Sequence, residues 1–128
     1  MEQQSNPNIL LVGVGGIGGM TIELLAPALE RIQSTCTITL MDGDIVEATN
    51  LGHQRFTKSD IGKPKTEVLA QKFTDFEYVT CHSVPENLRT EEQLEGYDFI
   101  LIGVDRPLPR RLVHVSEIPW IDMRSTGD

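Results

Sequence analysis

Residues 9–19, with the sequence ILLVGVGGIGG, decide the fold of this chain. The four apolar residues that open the stretch predict a buried strand, and the five glycines that follow predict a tight turn. The mainly apolar residues 16–33 then predict a helix. This order brings backbone N–H groups and the positive end of a helix against an anion, usually a phosphate. A Cβ would block that approach, so the glycines indicate a nucleotide-binding loop.

Composition limits the class of protein. The 128 residues suffice for one domain, and 39% apolar with 23% charged residues is typical of a globular chain rather than a disordered one. A net charge of −8 argues against a nucleic-acid partner. No apolar run is long enough to cross a membrane, and the N-terminus lacks the pattern of a signal peptide. We expect one cytoplasmic domain over residues 1–128, with no membrane or nucleic-acid partner.

Strand and helix patterns alternate along the whole chain. Strands are predicted at residues 8–12, 36–41, 78–84, 98–104 and 120–123. Helices are predicted at residues 16–33, 65–73 and 108–115, with a helical turn at 90–94. Pro27 is expected to kink or split the first helix near Ala26, because proline lacks an N–H. The alternation predicts an α/β fold: a Rossmann-like, doubly wound, mainly parallel sheet with helices on both faces.

In such a sheet, ligands bind beyond the carboxyl ends of the strands, where the strand order reverses. The glycine loop, Asp42 and Asp105 follow the first, second and fourth predicted strands, so we expect them at one site. An acid at the position of Asp42 can hold the hydroxyl groups of a ribose. These features favour a generic dinucleotide-binding domain, with a tight turn that binds no ligand as the alternative.

Residues 42–65, DGDIVEATNLGHQRFTKSDIGKPK, narrow the choice. With the glycine loop they resemble the adenylating family of ubiquitin-activating enzymes and bacterial ThiF/MoeB sulfur-carrier adenylyltransferases. The family pattern is GxGGxG, then D-x-D-x-V-E-x-x-N-L-x-R-Q, then D-I-G-x-x-K. The matching residues are Gly13, Gly15, Gly16, Gly18, Asp42, Asp44, Val46, Glu47, Asn50, Leu51, Gln54, Asp60, Ile61, Gly62 and Lys65. Asp105 and Arg110 match an aspartate and an arginine after the fourth strand, so the resemblance covers essentially the whole chain.

The resemblance implies ATP-dependent adenylation with Mg²⁺. The C-terminal carboxylate of a small ubiquitin-like or sulfur-carrier protein ending in Gly-Gly, or of a peptide, attacks the α-phosphate and releases pyrophosphate. The enzyme is expected to be a homodimer or heterodimer. The implied nucleotide-binding residues are Gly13, Gly15, Gly16, Gly18, Asp42, Asp44, Asn50, His53, Gln54, Arg55 and Lys65. The implied catalytic residues are Lys65, Asp105, Gln54 and Arg110, with Asp105 as the Mg²⁺ ligand.

Two residues depart from the family pattern. His53 stands where the family has arginine, and an imidazole is mostly neutral at pH 7, so Arg55 is the candidate to replace that charge. Arg106 stands where the family has asparagine. Family domains are longer, so the chain is expected to lack a C-terminal portion with the thioester cysteine or zinc site. Cys36 and Cys81 are read as core residues. The alternatives are an inactive nucleotide-binding scaffold subunit and an NAD-dependent oxidoreductase.

Overall fold

A five-stranded parallel sheet forms the centre of the domain. The computed structural model describes residues 6–51 and 55–123. The strands are β1 (Asn8–Val12), β2 (Cys36–Met41), β3 (Val79–Val84), β4 (Phe99–Ile102) and β5 (Trp120–Asp122). They lie in the order β3-β2-β1-β4-β5, and each pair of neighbours is parallel. The strand order therefore reverses at β1, which has β2 on one side and β4 on the other.

Helices cover both faces of this sheet. They are α1 (Gly16–Arg31), α2 (Lys65–Gln71) and α3 (Pro107–His114), with single 3₁₀ turns at Ala48–Asn50, Lys58–Asp60 and Glu91–Leu94. One core cluster packs α1 and α2 against Leu11, and the other packs α3 against Leu10 and Val12. Successive β1 side chains thus enter opposite layers, as the pleat of a strand requires. The expected doubly wound α/β fold is confirmed. Within the described residues, no helix has the length and apolar character needed to cross a bilayer.

Strand bounds follow the apolar runs closely. The bounds of β1 and β2 are those expected, while β4 ends at Ile102, before the expected 104, because Gly103 and Val104 instead line a cavity. The expected split of the first helix is wrong, since α1 is one helix with Pro27 inside it. The helix ends before Gln33, whose φ of +58° is left-handed.

The helical spacing of Ile17, Met20, Leu24, Leu25 and Leu29 predicts that these residues form the buried face of α1, and that prediction is partly wrong. Met20 and Leu24 are 46% and 67% exposed, whereas Ile22 and Ala26 are completely buried. Leu25 and Leu29 of the expected face do pack against the core, where they are partly buried. The reason is that Gly18 and Gly19, at the start of the helix, are buried and let its backbone approach the sheet closely. Ile22 and Ala26 lie on the same face of the helix as these glycines and therefore point toward the sheet.

Candidate functional site

The glycine loop is fixed to the strands on both sides of it. Gly13 donates its backbone N–H to the carbonyl of Met41 at 2.8 Å, and Gly103 donates to the carbonyl of Val12 at 2.8 Å. Gly13 has a φ of +91°, a conformation that favours glycine. A Cβ on Gly18 would lie 1.8 Å from the carbonyl oxygen of Gly13. The backbone conformation therefore requires glycine at both positions.

Gly15 and Gly16 have a different environment. A Cβ added to either would meet nothing within 4 Å, so their backbone faces open space. That space is a cavity of about 200 Å³ at the carboxyl ends of β1, β2 and β4. Its chemically relevant lining residues are Gly13, Gly15, Gly16, Asp42, Asp44, Asn87, Leu88, Asp105, Arg106 and Pro109. The cavity thus lies at the reversal of strand order, where open α/β sheets bind their ligands.

Asp42 links the end of β2 to the glycine loop. Its Oδ2 accepts the backbone N–H of Val14 at 2.8 Å, and its Oδ1 accepts the N–H of Asp44 at 2.8 Å. Each carboxylate oxygen has a second lone pair, so Asp42 can hold the loop and accept a ligand hydroxyl at the same time. The expected meeting of the glycine loop, Asp42 and Asp105 at one cavity is confirmed by the lining residues.

Lys65 reaches the rim of the cavity through Asp44. Its Nζ lies 3.8 Å from Asp44 Oδ2, and its backbone N–H donates to the carbonyl of Asp44 at 3.0 Å. A bridge between Ile45 and Pro64 holds this turn against the start of α2. Lys65 is only 7% exposed, so its amine can turn toward few partners other than Asp44 and the cavity.

Arg106 reaches Asp44 from the opposite side. Its Nη2 lies 3.8 Å from Asp44 Oδ1. One carboxylate therefore stands between two cations, one from α2 and one from the loop after β4. The sequence pattern does not mark Arg106 or Asn87 as site residues, although both line the cavity. Their position in the loops that follow β3 and β4 is the signal in the sequence that could have indicated them. Asn87 follows β3 by three residues and accepts the N–H of Gly43 at 2.9 Å.

Five of the expected site residues with a described structure do not line the cavity: Gly18, Asn50, Arg55, Lys65 and Arg110. Gly18 packs against Gly13, Lys65 lies behind Asp44, and the other three bind other partners. Asn50 Oδ1 accepts the backbone N–H of Glu47 at 2.7 Å, which closes the 3₁₀ turn Ala48–Asn50. Arg55 Nε donates to Glu23 Oε1 at 2.8 Å. Arg110 is the third. The roles of these three residues toward a nucleotide stay predictions, as do those of His53 and Gln54, which lie outside the described residues.

Arg110 belongs to a cluster on α3 and β5. Its Nε and Nη2 each lie 2.9 Å from Asp122 Oδ2, and His114 Nε2 lies 3.0 Å from the same oxygen. The His114 ring stacks on Trp120 with centroids 4.1 Å apart. This cluster fastens the edge strand β5 to α3. Asp122 thus binds the Arg110 guanidinium outside the cavity.

The surroundings of the two cysteines disfavour the thiolate form. Cys36 is buried and Cys81 is half-buried. Burial, with a smaller contribution from the neighbouring Cys36, raises the pKa of Cys81 to about 12. Burial also raises the pKa of Cys36. Both thiols are therefore protonated at neutral pH, whereas a thioester-forming cysteine must react as a thiolate.

The oxygen donors on the cavity wall are of the kind that bind magnesium. Mg²⁺ prefers one or two carboxylates and completes its shell with phosphate oxygens and water. Asp42, Asp44 and Asp105 supply such oxygens on the cavity wall. Among the residues with a described structure, no group of three or more His, Cys, Asp or Glu side chains is placed to hold a metal ion. The wall therefore offers one or two carboxylates to an ion, which is the number that Mg²⁺ uses when phosphate oxygens and water complete its shell.

Comparisons with known proteins agree with this geometry. The model of the ThiF family matches residues 1–124. The NEDD8-activating enzyme E1 catalytic subunit of Caenorhabditis elegans is 32% identical over 118 residues, which are 88% of this chain and 26% of that protein. The adenylyltransferase and sulfurtransferase UBA4 of Saccharomyces cerevisiae is 32% identical over 113 residues, 84% of this chain and 24% of UBA4.

Solved structures show the same fold. The E. coli tRNA N6-threonylcarbamoyladenosine dehydratase TcdA superposes with a TM-score of 0.73 at 25% identity, covering 91% of this chain and 51% of TcdA. E. coli MccB, solved with ATP, gives 0.73 at 24% identity, covering 93% of this chain and 37% of MccB. The chain spans about a quarter of the length of the two curated relatives. Because the family model covers nearly all of its length, the chain belongs to the ThiF family.

Proposed function

We propose that this chain is the nucleotide-binding part of an ATP-dependent adenylyltransferase. It would transfer AMP to the C-terminal carboxylate of a ubiquitin-like or sulfur-carrier protein, or of a peptide. The observation that carries the proposal is the cavity at the strand reversal, which joins the open glycine loop to Asp42 and Asp105. The names of the relatives, an E1 catalytic subunit and an adenylyltransferase, support the same class of reaction.

In this proposal the glycine loop receives the phosphates of ATP. The open backbone at Gly15 and Gly16 lets a phosphate approach the N-terminus of α1, where unpaired N–H groups and the helix dipole favour an anion. Asp42 accepts hydrogen bonds from the ribose while it holds Val14 in place. Asp105 is the ligand proposed for Mg²⁺, which would neutralise charge on the phosphates.

The chemical step needs charge stabilisation more than covalent help from the protein. The carboxylate oxygen forms a bond to the α-phosphorus, the bond to the bridging oxygen breaks, and pyrophosphate leaves with the electron pair. The groups that matter are therefore cations and N–H donors aimed at the phosphates. Lys65 is proposed as such a cation, because its buried amine lies 3.8 Å from Asp44, which lines the cavity. Arg110 and Asn50 would have to exchange their present partners to take part.

The carrier is proposed to be a protein or peptide. TcdA, by its name, acts on a tRNA nucleoside, but the net charge of −8 on this chain disfavours a tRNA. We also propose, from the family resemblance, a cytoplasmic enzyme that works as a homodimer or heterodimer. An inactive scaffold subunit is the second candidate, because position 53 is a histidine where the family has an arginine.

Exchange of labelled pyrophosphate into ATP tests the reaction. With carrier proteins ending in Gly-Gly as acceptors, the wild-type chain should support exchange. Asp105→Ala should reduce it by about a hundredfold or more, since electrostatic stabilisation at the phosphates is lost. Asp98→Asn is the matched control, because Asp98 binds the N–H of Asn8 before β4, at the opposite end of the sheet. Unchanged exchange in Asp105→Ala would contradict the metal assignment. ATP binding without exchange for any carrier would favour the scaffold.

A further inference from the structure

We propose that Arg106 binds the phosphates of the nucleotide and exchanges Asp44 for them when the nucleotide enters. The inference rests on the proposed function, since it assigns a further binding residue to the same cavity. It concerns one of the two residues at which this chain departs from the family pattern.

The position of Arg106 is the first argument. It follows Asp105 directly and occupies the cap position before α3, so it stands on the wall formed by the loop after β4. Asp44, its partner at 3.8 Å, stands on the opposite wall, after β2. Because β1 lies between β2 and β4, the loops that carry Arg106 and Asp44 flank the glycine loop that follows β1. All three line one cavity, so a phosphate held by the glycine loop would share that cavity with the guanidinium.

The charge of the cavity is the second argument. Its described lining residues include three carboxylates, Asp42, Asp44 and Asp105, and Arg106 is the only lysine or arginine among them. Lys65 contributes from behind Asp44 rather than from the lining itself. A triphosphate that entered this cavity would meet a negative wall, and like charges at close range repel strongly where water is partly excluded. Arg106 supplies the opposite charge at the cavity surface.

The present contacts of Arg106 leave it available. Its distance of 3.8 Å from Asp44 Oδ1 exceeds that of a hydrogen bond, and the two side chains are 53% and 48% exposed. Ion pairs of this kind contribute little to stability. Arg55 and Arg110 differ, because they bind carboxylates at 2.8 and 2.9 Å. A guanidinium matches two phosphate oxygens at once, so a phosphate is a better partner for Arg106 than this distant carboxylate.

Calorimetric titration with ATP and Mg²⁺, and separately with adenosine, tests the inference. Arg106→Gln should weaken ATP binding by about tenfold or more, the value of a hydrogen bond to a charged group, and should leave adenosine binding unchanged. Arg106→Lys keeps the positive charge but loses the paired N–H donors of the guanidinium. Its affinity for ATP should therefore lie between that of the wild type and that of Arg106→Gln. Arg111→Gln is the control, because Arg111 is exposed on the same helix and does not line the cavity.

The outcomes separate this inference from the proposed function. If the wild type and Arg106→Gln bind ATP with equal affinity, the inference is overturned and the proposed function still stands. A parallel loss of ATP and adenosine binding would also overturn it, since the residue would then act on the base or on the fold. The unfolding midpoint without nucleotide, which should not change, distinguishes those two causes. A wild-type chain that binds no ATP would overturn both proposals.

Discussion

Asp42 shows how one residue can serve both the fold and the site. Its two oxygens accept N–H groups from Val14 in the glycine loop and from Asp44 in the turn after β2. Asp42 also lines the cavity, and its oxygens are the acceptors proposed for the ribose. These two hydrogen bonds fix the loop without a ligand, so the proposed binding of a nucleotide would cost little loop entropy.

Replacement of Asp42 by Asn tests both its role in the fold and its proposed role in nucleotide binding. The amide keeps one acceptor oxygen and turns an NH₂ group toward the other N–H. The free energy of unfolding should fall by about 1–3 kcal/mol, the cost of leaving a donor unsatisfied. ATP affinity should fall as well, by about tenfold, because the loop and the ribose contact are both affected.

Chemical denaturation and calorimetry measure the two effects of Asp42→Asn. The control is Asp98→Asn, whose carboxylate also accepts a backbone N–H at 2.8 Å but lies outside the cavity. It should lose stability and keep ATP affinity. Equal ATP affinity in both variants would show that Asp42 has no part in the nucleotide site.

At the scale of elements, the junction of β1 and α1 depends on two kinds of glycine. Gly18 allows the helix to touch the carbonyl of Gly13, and its replacement by Ala would place a Cβ 1.8 Å from that oxygen. Gly16 begins the helix and faces open space. Gly18→Ala should therefore destabilise the fold by about 3 kcal/mol or more, since backbone must move.

Gly16→Ala gives the opposite result in the same motif. Alanine favours a helix over glycine by about 1 kcal/mol, so the variant should fold with unchanged or greater stability. Its methyl group would enter the cavity and should weaken ATP binding. Unfolding midpoints and nucleotide titrations of the two variants check this pair. A stable Gly18→Ala protein, or a Gly16→Ala protein with full ATP affinity, would contradict the assigned geometry of the loop.

Glu30 joins the last turn of α1 to the start of β3. Its carboxylate accepts the backbone N–H groups of Glu77, Tyr78 and Val79 at 2.7, 2.9 and 3.0 Å. Desolvation works to raise the pKa of Glu30, but these three hydrogen bonds together lower it below its ordinary value. The folded protein therefore favours the ionised form more than the unfolded chain does.

The sign of the pH dependence follows from that lowered pKa. Glu30 stabilises the fold above the ordinary carboxyl range, and the stabilisation disappears as the pH falls through the lower, folded value. Glu30→Gln should thus be less stable than wild type at neutral pH, with a difference that shrinks in acid. Glu67→Gln, an exposed change on α2, is the control for denaturation at each pH. A difference that grows toward low pH would contradict the assignment.

The sequence predicts some elements better than others for physical reasons. Continuous apolar runs mark β1 and β2, because a central parallel strand is buried on both faces. The inward face of α1 was missed because glycines, which carry no hydrophobic signal, bring the helix to the sheet. The partners of Arg55 and Arg110 depend on Glu23 and Asp122, which only the tertiary fold brings near. Motif spacing located the cavity, but it could not determine which cations face it.

At the scale of the whole molecule, an acidic domain contains the site proposed for an acidic ligand. The net charge of −8 opposes the approach of a nucleotide over most of the surface. Lys65 and Arg106 converge on Asp44 at the rim of the cavity, and they are the local exception. Salt should therefore screen the long-range repulsion between the domain and the nucleotide more than it screens these two close contacts, so added salt should weaken binding little.

The measurement that tests the account most directly is the stability of the whole chain with different nucleotides. ATP with Mg²⁺ at about a hundredfold excess over its Kd should add about 2.7 kcal/mol to the free energy of unfolding. NAD⁺ at the same concentration should add nothing measurable, because the account assigns this cavity to a triphosphate rather than a dinucleotide. Stabilisation by NAD⁺ equal to that by ATP, or none by ATP at any concentration, would contradict the central claim.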